Sequence, residues 1–126
     1  MPKTIPALPG IPPSNLPFSK VVEANGFVFL AGQIGDAPGQ NGPVPGGIEA
    51  ETRQALENVG ALLRAVGLDY GDVVKCTLYI SDFGDFFAMN QVYREFFTGD
   101  LPARATVAVS GLALGAKFEI EVMAAR

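Results

Sequence analysis

Two glutamates and one arginine near the C-terminal end are the residues of this sequence best suited to chemistry. Glu119 and Glu121 alternate with Phe118, Ile120 and Val122, and the two-residue period of a strand puts both carboxylates on the face opposite the phenylalanine. Such a face can simply be solvated. It can equally supply a general base, because a carboxylate partly desolvated beside apolar neighbours has its pKa raised toward neutrality and takes a proton from water. Arg104 follows Leu101-Pro102-Ala103 at the entrance of the preceding strand. An arginine there ordinarily makes a surface ion pair, yet its planar fork is also the side chain best matched to a ligand carboxylate through two parallel hydrogen bonds.

The other residue types narrow the chemistry. The chain has no histidine and one cysteine, which excludes a Ser-His-Asp triad, a Cys-His pair and an ordinary zinc site. Carboxylates, arginine, hydroxyls, backbone groups and water remain; no metal and no cofactor are expected. The glycines of residues 39–47 lack phosphate-loop spacing and no Lys-Ser or Lys-Thr follows them, so nucleotide binding has no support. Asn90 falls on one helical face with Phe86, Tyr93 and Phe97, where an amide among aromatics needs partners; tying down a loop is its simplest role. Cys76, in an expected central strand with nothing to activate it, reads as a small buried hydrophobe.

Charge and composition bound the partners. Nine Lys plus Arg against thirteen acids give a formal charge of −4 without any basic cluster, so nucleic acid is not an expected partner. No stretch approaches the ~18 apolar residues of a membrane span. A single cysteine forms no internal disulfide, and the proline-rich N-terminus is not the core of a signal peptide, so the expected address is the cytoplasm. With 48% hydrophobic and 17% charged residues, against roughly 25% charged in soluble proteins, a homo-oligomer is expected.

Placing these residues falls to the elements of one domain spanning residues 1–126, a length that buries a core without staples. Residues 1–16 and Pro17 contain six prolines and form an extended lead-in, with room for a short edge strand around Thr4 to Leu8. Phe18 to Ala24 and Phe27 to Gln33 are strand-like runs joined by Asn25-Gly26, a tight hairpin pair. Residues 35–47 have loop composition. Ile48, Thr52, Ala55, Leu56, Val59, Leu62, Leu63 and Val66 then recur at helical spacing, with Glu49 and Glu51 at the positive end of the dipole and Gly67 as the stop. Val73 to Ile80 reads as a strand. Asp82 and Asp85 resemble an N-terminal cap for a second helix, whose apolar stripe is Phe83, Phe86, Phe87, Tyr93, Phe96 and Phe97, ending at Gly99. Ala105 to Val109 and Phe118 to Met123 are the last strands.

This order predicts an α+β fold of two layers: a mixed sheet with both helices on one face and a hairpin at each end. The uncovered sheet face is the natural meeting place of subunits, with the apolar side of Phe118 to Met123 as the surface an oligomer would bury.

Seven strings stand in order from about Pro17 to Met123: Pro17-Phe18-Ser19, Ala31-Gly32-Gln33-Ile34, Thr52-Arg53-Gln54-Ala55-Leu56-Glu57-Asn58, Asp72-Val73-Val74-Lys75, Asn90-Gln91-Val92-Tyr93, Pro102-Ala103-Arg104 and Glu119-Ile120-Glu121-Val122. Their sequence and spacing resemble the RidA (YjgF) family of reactive-intermediate deaminases. The resemblance implies a chorismate-mutase-like α+β fold and a homotrimer with clefts between subunits. It implies a metal-free deaminase of the 2-iminobutanoate/2-iminopropanoate type, acting on a small 2-imino or enamino acid. On this resemblance Arg104 holds the substrate carboxylate and Glu119 positions the attacking water, while Phe18, Gly32, Asn90 and Thr106 contribute to the substrate site. Glu121 is assigned to structure, with the reverse assignment of the two glutamates open. Phe18 stands where the family often has tyrosine, Ala31 where it often has serine, and Thr106 where some members have cysteine.

The loss of hydroxyls at positions 18 and 31 leaves a second reading, a non-catalytic carboxylate-binding or regulatory module using the same cleft. A third, the older family label of endoribonuclease, is disfavoured by an acidic chain without histidine.

Overall fold

The computed structural model describes residues 2–126. Two strands, β1 (Val21–Ala24) and β2 (Phe27–Ile34), form the expected hairpin, with Asn25 at φ 52° and Gly26 at φ 81°. Both values lie in the left-handed region that a two-residue primed turn requires. Helix α1 (Gly47–Ala65), strand β3 (Val73–Ile80), helix α2 (Phe86–Phe96), strand β4 (Ala103–Ala108) and strand β5 (Phe118–Ala125) follow. The first strand starts later than the run from Phe18 suggests, because the Phe18 N–H turns back onto Leu16 O and pairing with β2 reaches only to Lys20, whose carbonyl accepts from Ala31 N. The proposed edge strand in the lead-in shrinks to one bridge, Thr4 with Glu23.

The sheet order is β1-β2-β5-β3-β4, antiparallel throughout except for β3 with β4. The N-terminal hairpin is present. The C-terminal one is not: β4 pairs in parallel with β3 at the edge, and β5 returns to the middle between β2 and β3. A parallel β3–β4 pair needs a crossover, and α2 supplies it.

Both helices cover one face. Val21, Val28, Leu30, Leu78, Ile80, Phe118, Ile120 and Ala124 of the sheet pack there with Ala55, Leu56, Val59, Leu63, Met89 and Tyr93 of the helices. Phe118 and Ile120 are fully buried, so the apolar side of β5 is the protein's own core and not an oligomer surface. Each such side chain contributes about 1.5–3 kcal/mol through burial. The open face carries the alternate residues: Phe27 and Phe29 of β2, Thr77 and Tyr79 of β3, and Glu119, Glu121 and Met123 of β5.

Two helical expectations change in detail. The second helix is preceded by a 3₁₀ turn (Phe83–Asp85), and Asp82 caps that turn by accepting from Gly84 N. Phe83 and Phe87 leave the apolar stripe and are exposed, Phe83 stacking on Phe86 at 4.9 Å between centroids. In α1, Glu51 is buried and accepts the Lys117 backbone N–H at 2.8 Å. Its position three residues after Ile48 and four before Ala55, on the apolar stripe, is the signal that places it inside.

The loop after β2 is fastened rather than free. Asn58 of α1 donates to Ile34 O at 3.1 Å and Asp36 O at 2.8 Å, while Gln54 donates to Asn58 Oδ1 at 2.9 Å. Gly35 lies so close to the Glu51 backbone that any Cβ there would collide with it.

Candidate active site

Strand register decides how the candidate residues meet. Arg104 pairs with Cys76 and Thr106 with Leu78, and both partners belong to the buried core. Arg104 and Thr106 therefore point to the helix-covered face, inside β4 rather than at its entrance. Glu119 pairs with Tyr79 on one side and Ile34 on the other, on the open face. Within one chain the two proposed catalytic residues lie on opposite faces of the sheet.

Around Arg104 the structure gathers two aromatic rings and a hydroxyl. Its guanidinium carbon lies over the Tyr93 ring at 4.7 Å and the Phe86 ring at 5.7 Å, and its Nε donates to Thr106 Oγ1 at 2.9 Å. A cation held over aromatic faces gains about 0.5–2 kcal/mol. The ion pairs of the described residues are Arg53–Glu95, Arg64–Asp69 and Arg126–Glu23, so Arg104 has no carboxylate partner within 4.0 Å. It lines a cleft of about 270 Å³ with Asn90, Tyr93, Arg94, Phe97 and Leu101.

Asn90 does join Arg104, as the family resemblance implies, but it ties down no loop through its carbonyl: Oδ1 is buried without a hydrogen-bond partner. The Tyr93 hydroxyl is likewise buried without a well-formed bond, and its burial beside the Cys76 thiol pushes its pKa up. Burial raises the Cys76 thiol to about 11, which keeps it protonated at neutral pH and fits the reading of an inert buried cysteine.

Around Glu119 the partner is a glycine. The β2–β5 register shifts between Leu30 and Gln33, a bulge that re-aims the backbone. Gly32 sits in this bulge, and a Cβ there would collide with Glu119 Oε2 and stand 3.0 Å from its Cδ. The need for glycine here is space for the carboxylate. Burial raises the Glu119 carboxyl above its ordinary range, and the charge of Glu121 raises it further. Glu121 itself is exposed and accepts the Tyr79 hydroxyl at 2.7 Å. Gly32→Ala is therefore expected to push the carboxylate aside, an orientation effect that should lower any catalysis resting on Glu119 about tenfold. Its melting temperature should stay within a few degrees of the wild type, since the position is exposed; unchanged turnover in a steady-state assay would show that the carboxylate's seat is unimportant.

Phe18, Gly32 and Glu119 thus gather toward the β1–β2–β5 part of the molecule, whereas Arg104, Thr106 and Asn90 gather at β4 and α2, beyond β3. Phe18 is about half exposed and lines a groove with Ile5, Pro12 and Lys20 of the lead-in, away from Arg104. The sequence names both sets but cannot show that they are separate.

The α+β sheet thus carries an arginine without an ion-pair partner toward one face and a partly desolvated glutamate on the other, and comparison with known proteins supplies the family. The family model described as Endoribonuclease L-PSP matches residues 11–126. The chain belongs to this family, which includes the RidA/YjgF proteins. It is 41% identical over 108 residues to the mouse protein named 2-iminobutanoate/2-iminopropanoate deaminase, covering 86% of this chain and 80% of the mouse one. The fold superimposes with a TM-score of 0.91 on YyfA of Yersinia pestis, described as a protein of unknown function of the conserved Rid family, at 35% identity and covering 99% and 100% of the two chains. E. coli TdcF, solved with bound serine, gives 0.84 at 38% identity, covering 92% and 93%. Among the described residues no helix is long and apolar enough to cross a membrane.

Proposed function

We propose that the protein hydrolyses small 2-imino acids to 2-oxo acids and ammonia, in clefts between the subunits of a homotrimer. The observation that carries this reading is Arg104, without an ion-pair partner and set over the Tyr93 ring, lining a cleft, complemented by a raised-pKa carboxylate on the opposite sheet face. The mouse relative's name and the serine bound in TdcF support a substrate that carries a carboxylate beside a nitrogen-bearing carbon.

The chemistry asks little of the protein. An iminium carbon is already electrophilic, so orientation and proton transfer suffice. Arg104 holds the carboxylate through paired hydrogen bonds. Glu119 accepts a proton from water as the water oxygen bonds to the iminium carbon and the C=N π pair moves to nitrogen; the Glu119 carboxyl then returns that proton to the carbinolamine nitrogen, the carbon–nitrogen bond breaks with ammonia as the leaving group, and loss of the hydroxyl proton leaves the 2-oxo acid. Asn90 Oδ1, buried without a partner, is an acceptor for an N–H of the substrate.

The opposite placement of Arg104 and Glu119 calls for a second subunit. A copy that lays its β4–α2 edge against the open face brings its Arg104 toward the first copy's Glu119, Gly32 and Phe18, and buries the exposed Phe27, Phe29 and Val107. Cyclic association of this heterologous contact closes a ring.

The test is loss of 2-aminoacrylate or 2-iminopropanoate generated in situ by a dehydratase, with and without the protein. Accelerated ammonia release is expected. The absence of hydroxyls at Phe18 and Ala31 favours, as the alternative, a carboxylate binder without turnover. Saturable binding with no acceleration across several imino acids would establish that alternative and sink the deaminase.

A further inference from the structure

Glu119 and Glu121 lie two residues apart on the open face of β5, and the structure turns them in different directions. Tyr79 of β3 is the cross-strand partner of Glu119, and Thr77 that of Glu121. The Tyr79 hydroxyl nevertheless reaches diagonally and donates to Glu121 Oε1 at 2.7 Å, within the span over which diagonal neighbours on a sheet can meet. Glu119 leans the other way, over Gly32 of β2.

We propose that Tyr79 is a positioning residue: its hydroxyl ties the Glu121 carboxylate toward β3, so that the Glu119 carboxylate alone remains over Gly32 to hold the attacking water. This rests on the deaminase reading and gives different tasks to two glutamates that strand periodicity leaves equivalent. Without the tether, a second carboxylate is free to approach Glu119 and compete with it for water and charge.

The surroundings make the pair simple to interpret. By register, β1, β2 and β4 place only apolar residues and Gly32 on the open face. Its titratable groups in one chain are Glu119, Glu121, Tyr79 and Lys75, the last opposite Met123 toward the other end of β5, and the subunit contact proposed above adds the Arg104 of a neighbouring copy, which is unchanged in every variant compared. The bond to Glu121 is the main cause that raises the Tyr79 phenol above its ordinary range, as expected for a hydroxyl that donates to a carboxylate.

Two readouts on the full-length protein test the tether. One is a carbon-13 NMR titration of the Glu119 carboxyl in the wild type, Tyr79→Phe, Glu121→Gln and the double variant. Tyr79→Phe removes one exposed hydroxyl and should fold normally. Its released Glu121 carboxylate is expected to move the Glu119 midpoint up by about half a pH unit, and the double variant should bring the midpoint below the wild-type value, because the neighbouring charge is gone. An unmoved midpoint in Tyr79→Phe overturns the proposal, and so does a rise that persists in the double variant. The second readout is the acid limb of kcat, expected to follow the midpoint, with about a threefold loss below it and an unchanged KM. A limb that ignores a shifted midpoint would leave the tether standing and count against Glu119 as the base.

Discussion

Glu119→Gln is expected to lower kcat for imine hydrolysis by about two orders of magnitude or more, the usual contribution of a positioned general base, while affinity for a carboxylate ligand changes less than about twofold. The amide keeps the shape that fits over Gly32 but cannot take a proton. The base works as a carboxylate, so activity should rise with pH through the Glu119 pKa. Burial first and the Glu121 charge second hold that pKa above the ordinary carboxylate range, which moves the acid limb up. The same raised value means that the fold gains stability from a protonated Glu119 at low pH and loses that gain as pH rises through the folded-state pKa. The kinetic limb should therefore vanish in Glu119→Gln, in pH-rate profiles read against isothermal titration of a 2-oxo acid. A full limb with full turnover in the variant would remove Glu119 from the reaction.

Arg104→Ala should do the opposite to binding: affinity for carboxylate ligands and kcat/KM both fall by about a hundredfold or more, since a charge-assisted bidentate pair is lost. The more decisive result comes from mixing. If each cleft takes Arg104 from one subunit and Glu119 from its neighbour, the inactive Arg104→Ala and Glu119→Gln proteins, unfolded and refolded together in equal amounts, form clefts of which about a quarter hold both wild-type residues. Activity should return to about that fraction of wild type, where each variant refolded alone stays inactive. A mixture as dead as its components, with exchange of subunits confirmed by mass spectrometry, would place both residues in a cleft of a single chain and contradict the sheet register.

Much of this molecule is legible in the sequence, and most of the parts that are not share one cause. Asn25-Gly26, the 3.6-residue stripe from Ile48 to Val66 and the β-branched run at Val73 locate their elements because local preference and burial agree there. The residue types of the site are legible too, since a chain without histidine leaves few groups able to move protons, and the family strings supply the rest. What local pattern cannot reveal is pairing. Ala105 to Val109 and Phe118 to Met123 look like neighbours joined by a turn, and only the structure shows β5 leaving β4 to insert between β2 and β3. That choice puts Arg104 under the helices and Glu119 on the open face, and it hides the apolar side of β5 that the sequence suggests for subunit contact. Glu51 is misjudged on other grounds: helix charge rules place it at the dipole, although its spacing from Ile48 and Ala55 puts it on the apolar stripe, where it accepts the Lys117 N–H.

The central position of β5 also has a bearing on how the chain is made. It leaves the ribosome after the other four strands, yet it is the one that joins the β1–β2 hairpin to the β3–β4 pair. Until it arrives, β2 and β3 each present an unpaired edge beside apolar surface, the kind of template that recruits other chains. Nascent protein should accordingly be most prone to self-association just before β5 emerges, and the native sheet can close only once this strand slides into a slot the other four have left open.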